Sequence, residues 1–283
     1  MSRSGKSLVD RAVTKLVLVA LLSTAVSILS AAADSSESSR PVGQWIDGEF
    51  VSSLGIVIPY QVYIPSGGVS DDYHRFGPST SPLVVALAVQ PVEETAVAAA
   101  GRSAAAEPRD PLSVCPECGA LISTGVAFDY SALLAVVYLR RDRAGSFWEE
   151  ELDTLAEVAT SGNGLPDVDD RRIYLTGHDS GAVAAWNLAA RIPSRIAALA
   201  PAGGGADPRL APRLVPISVW AFHASVDSRP ITETRTMIGA IWAAGGHRAR
   251  YSEFHSGGGK SWLRAWSDPM FLAWLFSQTT VSP

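Results

Sequence analysis

Residues 174–186 read YLTGHDSGAVAAW. An apolar strand ends in Leu-Thr, a turn bounded by two glycines follows, and an Ala-rich helix leaves it. That is the form of a nucleophile elbow, usually spelled Gly-x-Ser-x-Gly. The turn there is so sharp that only small residues fit beside the reactive side chain. Gly177 and Gly181 keep the spacing, but the central residue is Asp179. A carboxylate at this point has three uses. It can attack an alkyl carbon and form an ester that water then opens, it can act as a general base toward water, or it can rest in the field of its own helix. It serves acyl transfer poorly, because attack on an acyl carbon gives a mixed anhydride. Ser180 lies one place further on, is directed down the helix, and is not read as a shifted nucleophile.

The elements that must position this turn follow from hydrophobic patterning. Residues 54–65 (LGIVIPYQVYIP), 82–89 (PLVVALAV) and 132–139 (ALLAVVYL) read as strands, the latter two apolar throughout as in strands buried on both faces. Residues 171–177 (RRIYLTG) feed the turn. Further strands are expected over 196–203, 215–223 and 248–255. Helices are expected over 92–107, over 146–160 with Ser146 as cap, over 180–193, over 231–246 and over 267–278. Residues 109–125 read as a loop. The alternation of strand and helix predicts an α/β fold, a mostly parallel central sheet with helices on both faces.

The chain has 283 residues and a formal net charge of −5. Arg3, Lys6, Arg11 and Lys15 precede an apolar run over 16–30, and Ala31, Ala32 and Ala33 supply small residues for a peptidase. This predicts a signal peptide over 1–33 and a secreted or periplasmic protein, with an uncleaved anchor as the alternative. Residues 34–53 read as a linker and N-terminal segment, and 54–283 as a single domain of ample size. Those first 33 residues carry four basic side chains and Asp10, so the remaining chain is near −8. That balance, without a basic cluster, argues against nucleic acid and anionic membrane partners. Cys115 and Cys118, the only cysteines, suit a local disulfide or a free pair, since two ligands are too few for a zinc site. The five histidines are scattered without metal-ligand spacing, so no metal or cofactor is expected. Trp262, Trp266 and Trp274 are expected to pack in the core.

From residue 54 onward the chain resembles the secreted esterases of the α/β-hydrolase superfamily, near the poly(3-hydroxybutyrate) depolymerase-like and prolyl-oligopeptidase-like groups. The resemblance is densest in IPYQVYIP, DRRIYLTG, VPISVWAFHASVDSRP and SWLRAWSDPMFLAWLFSQ. It implies hydrolysis of esters by a Ser-Asp-His triad without a metal, and Asp227 matches the family's triad Asp. It also implies a His in the loop before Ser261-Trp262, where this chain has Gly259, and a His-Gly oxyanion stretch, where it has Ala88-Val89. His255, four residues before Gly259, is the candidate displaced base. The elbow GHDSG is similar to that of epoxide hydrolases and haloalkane dehalogenases, which use an Asp nucleophile. Those enzymes carry a cap domain, for which residues 203–214 leave no room. The resemblance therefore implies an esterase-like protein with degenerate machinery, a small ester-like ligand and no identified protein partner. The alternatives are an active esterase or epoxide-type hydrolase built on Asp179, Asp227 and His255, and a secreted interaction protein without catalysis.

Overall fold

The described residues form eight strands, seven of them at the expected runs: β1 (Gln44–Val51), β2 (Val57–Ile64), β3 (Ser81–Pro91), β4 (Leu133–Arg141), β5 (Val168–His178), β6 (Ala198–Ala202), β7 (Ser218–Ala224) and β8 (Ala249–Phe254). In the computed structural model they form one sheet in the order β1-β2-β4-β3-β5-β6-β7-β8. The structure describes residues 43–51, 55–65, 81–91, 115–123, 130–141, 149–160, 168–255 and 261–280. The expected signal peptide over 1–33, the start of the expected linker, the helix expected over 92–107, His74 and Gly259 lie outside the described residues.

β1 and β2 pair antiparallel, β2 runs antiparallel to β4, and every later pairing is parallel. The central strands are apolar on both faces because helices cover both. One face holds α2 (Glu149–Thr160), α3 (Ser180–Arg191), the single turn α4 (Ala211–Leu214) and α5 (Ile231–Ala243). Leu152, Trp186, Leu188, Leu214, Met237 and Ile241 pack there on Leu87, Leu175 and Val219. The other face holds α1 (Pro116–Ser123), α6 (Ser261–Trp266) and α7 (Pro269–Ser277). There Phe271 lies edge-on to Trp220, Phe222 and Trp266, with ring centroids 5.8, 4.9 and 5.0 Å away. Trp266 is fully buried, as expected, while Trp262 and Trp274 are only half-buried. α7 begins as its sequence dictates: Asp268 accepts from the N–H of Met270, and Pro269 takes the first helical position.

Three elements differ from the sequence reading. Gln44–Val51, read as part of the N-terminal segment, is a strand whose exposure alternates, as befits a sheet edge wet on one side. Asp47 accepts there from Gln61 Nε2 at 2.7 Å. Pro116–Ser123, read as loop, is a short helix, and Cys115 and Cys118 are joined by a disulfide across its first turn. Ser261–Trp266, unassigned from sequence, is a helix of six residues that packs against α1. Too short to show an apolar period, it draws its stability from that packing.

Candidate active site

The elbow is built where β5 ends. Asp179, between β5 and α3, has φ 50° and ψ −115°, a conformation that residues with side chains seldom adopt. Its N–H donates to the carbonyl of Ala202 at 3.0 Å, which ties the turn to the end of β6. The two flanking glycines are steric requirements. A Cβ on Gly181 would lie 2.0 Å from the carbonyl oxygen of Leu87 in β3, and one on Gly177 would lie 2.5 Å from the carbonyl of Gly181. The chain thus keeps the backbone of an elbow, with the first turn of α3 pressed against β3.

Asp179 does not stand alone above this turn. Its Oδ1 accepts from the hydroxyl of Ser228 at 2.6 Å. His178, preceding it, faces Trp262 with ring centroids 6.1 Å apart. Sequence reasoning missed Ser228, and no local signal could have found it, because the contact spans 49 residues.

Asp227 lies in the loop after β7, as the sequence places it, and is half-buried. Its Oδ2 accepts from the N–H of Ala224 at 2.8 Å, and its Oδ1 from the N–H of Ser261 at 3.0 Å. The carboxylate therefore ties the end of β7 to the head of α6, and its described partners are backbone amides. Beside it, Ser261 is fully buried, and its Oγ has no hydrogen-bond partner among the described residues.

His255 follows β8 with its side chain 70% exposed, and its Nε2 lies 2.8 Å from Glu253 Oε1. The same carboxylate takes Arg235 Nε at 2.7 Å and the hydroxyl of Tyr251 at 2.7 Å. The structure thus places Asp179 with Ser228, Asp227 with the α6 amide, and His255 with Glu253, three separate pairings. The signal for the last was available. Residues two apart in a strand share a face, so Glu253 and His255 were bound to be neighbours.

The hydrogen bond from Arg235 is the main influence that lowers the Glu253 carboxyl to about 2. A group lowered on folding stabilises the protein above the ordinary carboxylate range, and that contribution is lost as pH falls toward 2. Glu253→Gln is expected to cost about 1 kcal/mol at pH 7, after screening at the exposed Arg235, and to flatten the loss of stability between pH 5 and 2. Urea midpoints measured across that range would check this, and parallel pH curves for the two proteins would refute it.

Ala88 and Val89 lie inside β3, not in a free loop, and pair with Tyr138 and Leu139 of β4. They lie just beyond Leu87, whose carbonyl abuts the elbow. The connection from β6 to β7 contains only a 3₁₀ turn, Pro208–Leu210, and α4, so this connection carries no cap domain.

The fold recurs in solved structures. A thermostable esterase superposes with a TM-score of 0.61 at 21% identity, over 83% of this chain and 63% of its own length. The described residues have the α/β-hydrolase fold. A ferulic acid esterase matches with a TM-score of 0.55 at 10% identity, over 84% of this chain and 98% of its own. The S-formylglutathione hydrolase of Staphylococcus aureus matches with a TM-score of 0.52 at 10% identity, over 86% of this chain and all of its own. The chain thus spans less than two thirds of the thermostable esterase but nearly the whole of the other two. No protein-family model and no curated protein matches it. At these identities the α/β-hydrolase likeness carries architecture, and chemistry must be argued from the site.

Proposed function

We propose that this chain is a degenerate relative of carboxylic-ester hydrolases, exported by its first 33 residues. In this reading it holds a small ester-like ligand and turns it over feebly or not at all. The observation that carries the reading is the position of the candidate imidazole base, His255. The imidazole of His255 is bonded to Glu253, while Asp227 spends both carboxylate oxygens on backbone amides. A triad works because an imidazole, oriented by the acid, moves the proton from nucleophile to leaving group. Without that relay only the small residual rate from binding and oxyanion stabilisation remains. Asp179 in place of Ser, and the strand-bound Ala88-Val89 in place of a Gly-containing loop, agree with it.

The experiment is an assay of the chain lacking residues 1–33 on short p-nitrophenyl esters and on styrene oxide, beside Asp179→Ala made identically. Rates near background in both proteins are expected. Turnover at ordinary enzymatic rates that vanishes in the variant would sink the degenerate reading and establish Asp179 as a working catalytic group.

A further inference from the structure

Ser228 follows Asp227 directly, in the exposed loop beyond β7, and its hydroxyl donates to Asp179 at 2.6 Å. The geometry points to Ser228 and Asp179 as a nucleophile–base pair acting on activated carboxylic esters, with the serine carried by the loop that faces the elbow. This rests on the reading above and deepens it, since it names the groups through which feeble hydrolysis runs.

Three observations support the pair. The hydroxyl and carboxylate are within the range for direct proton transfer, and the hydroxyl is open to solvent. Both partners stand on fixed supports. Asp179 is held by the turn and its bond to Ala202. Ser228 lies between Asp227, whose carboxylate holds Ala224 and Ser261, and Arg229, whose carbonyl is bonded by Nε2 of the fully buried His223 at 3.1 Å. Nδ1 of that ring is 2.8 Å from Thr234 Oγ1 in α5, so the imidazole ties the loop to the helix that follows it. Finally, α3 begins one residue after Asp179, which puts the positive end of a twelve-residue helix beside the reacting atoms, where an oxyanion would form.

The step balances without a co-reactant. Ser228 Oγ bonds to the acyl carbon while its proton passes to Asp179. The departing alkoxide takes that proton and leaves as the alcohol, giving acyl-Ser228. Water then attacks the acyl group, gives its proton to Asp179, and the proton returns to Ser228 Oγ as the acid departs. A carboxylate is a weaker base than an imidazole, so the cycle is slow.

The test uses a fluorophosphonate probe, from which fluoride departs as the serine oxygen bonds to phosphorus. The chain lacking residues 1–33 is incubated with it and the adduct mapped by peptide mass spectrometry. A single adduct on Ser228 is expected, absent in Ser228→Ala and formed at least tenfold more slowly in Asp179→Asn. An adduct on Ser180 or another serine, no adduct, or an equal rate in Asp179→Asn would overturn the inference. Mapping on the unaltered chain decides the matter even if a variant fails to fold. The outcomes also separate this inference from the degenerate reading. No adduct with no turnover removes the Ser228 pair alone, whereas brisk turnover that survives Ser228→Ala and is lost in Asp179→Ala removes both.

Discussion

Asp179→Ser combined with Gly259→His is expected to hydrolyse p-nitrophenyl acetate at least about a hundredfold faster than the unaltered chain, while either substitution alone stays near background. The non-additivity is the point of the experiment. A serine without a base, or a base without a serine, leaves the proton relay broken, so neither half alone lowers the barrier. Two other parts of the scaffold are in place. The elbow backbone is formed, and Asp227 already grips Ser261, two positions after 259 in the sequence. Initial rates of the four proteins, corrected for uncatalysed hydrolysis, decide it. A double variant no faster than its parent would mean that the missing relay is not what silences the fold. The fault would then move to Ala88 and Val89, whose pairing with β4 fixes the backbone beside the elbow.

The second large effect concerns stability. Trp186→Ala is expected to cost about 3–5 kcal/mol. The indole is fully buried among the helices on one face of the sheet, and its Nε1 donates to the carbonyl of Gly204 at 3.0 Å. Removing it opens a cavity too large for its neighbours to fill. Gly204, against whose Cα side the carbonyl of Asp179 packs closely, loses a partner and keeps Thr234 Oγ1 at 3.1 Å. The loss should appear as a lower denaturant midpoint at unchanged slope. A change under about 1 kcal/mol would show that the core collapses around the gap and that the indole is no keystone of the elbow.

How much of this was readable beforehand depends on how far each signal travels along the chain. Strands such as Ser81–Pro91 and Leu133–Arg141 announce themselves, because burial on both faces leaves an unbroken apolar run over 83–89 and 133–139. Gln44–Val51 does not, since a half-wet edge strand carrying Asp47 and Gly48 has the composition of a linker. The elbow is legible because its glycines obey a local steric rule, and Asp227 because it must lie just past a strand end. The partners of these residues were not legible. A loop amide such as that of Ser261 has no side-chain signature, and Ser228 meets Asp179 only once β5 and β7 are set on either side of β6. His255 stands between these cases. Its place two residues after Glu253 puts the two side chains close together, and Nε2 lies 2.8 Å from Glu253 Oε1.

The backbone angles at Asp179 carry one more consequence, for the sequence this position would drift toward. A side chain held at φ 50° and ψ −115° costs the fold about 1–3 kcal/mol, and glycine would release most of it. If nothing offset that cost, Gly would be the favoured occupant of an idle elbow and Asp a burden on it. The hydrogen bond from Ser228 supplies an offset that glycine could not. Asp179 and Ser228 are therefore bound together as one inheritance, and a chain that loses either has a reason to lose the other.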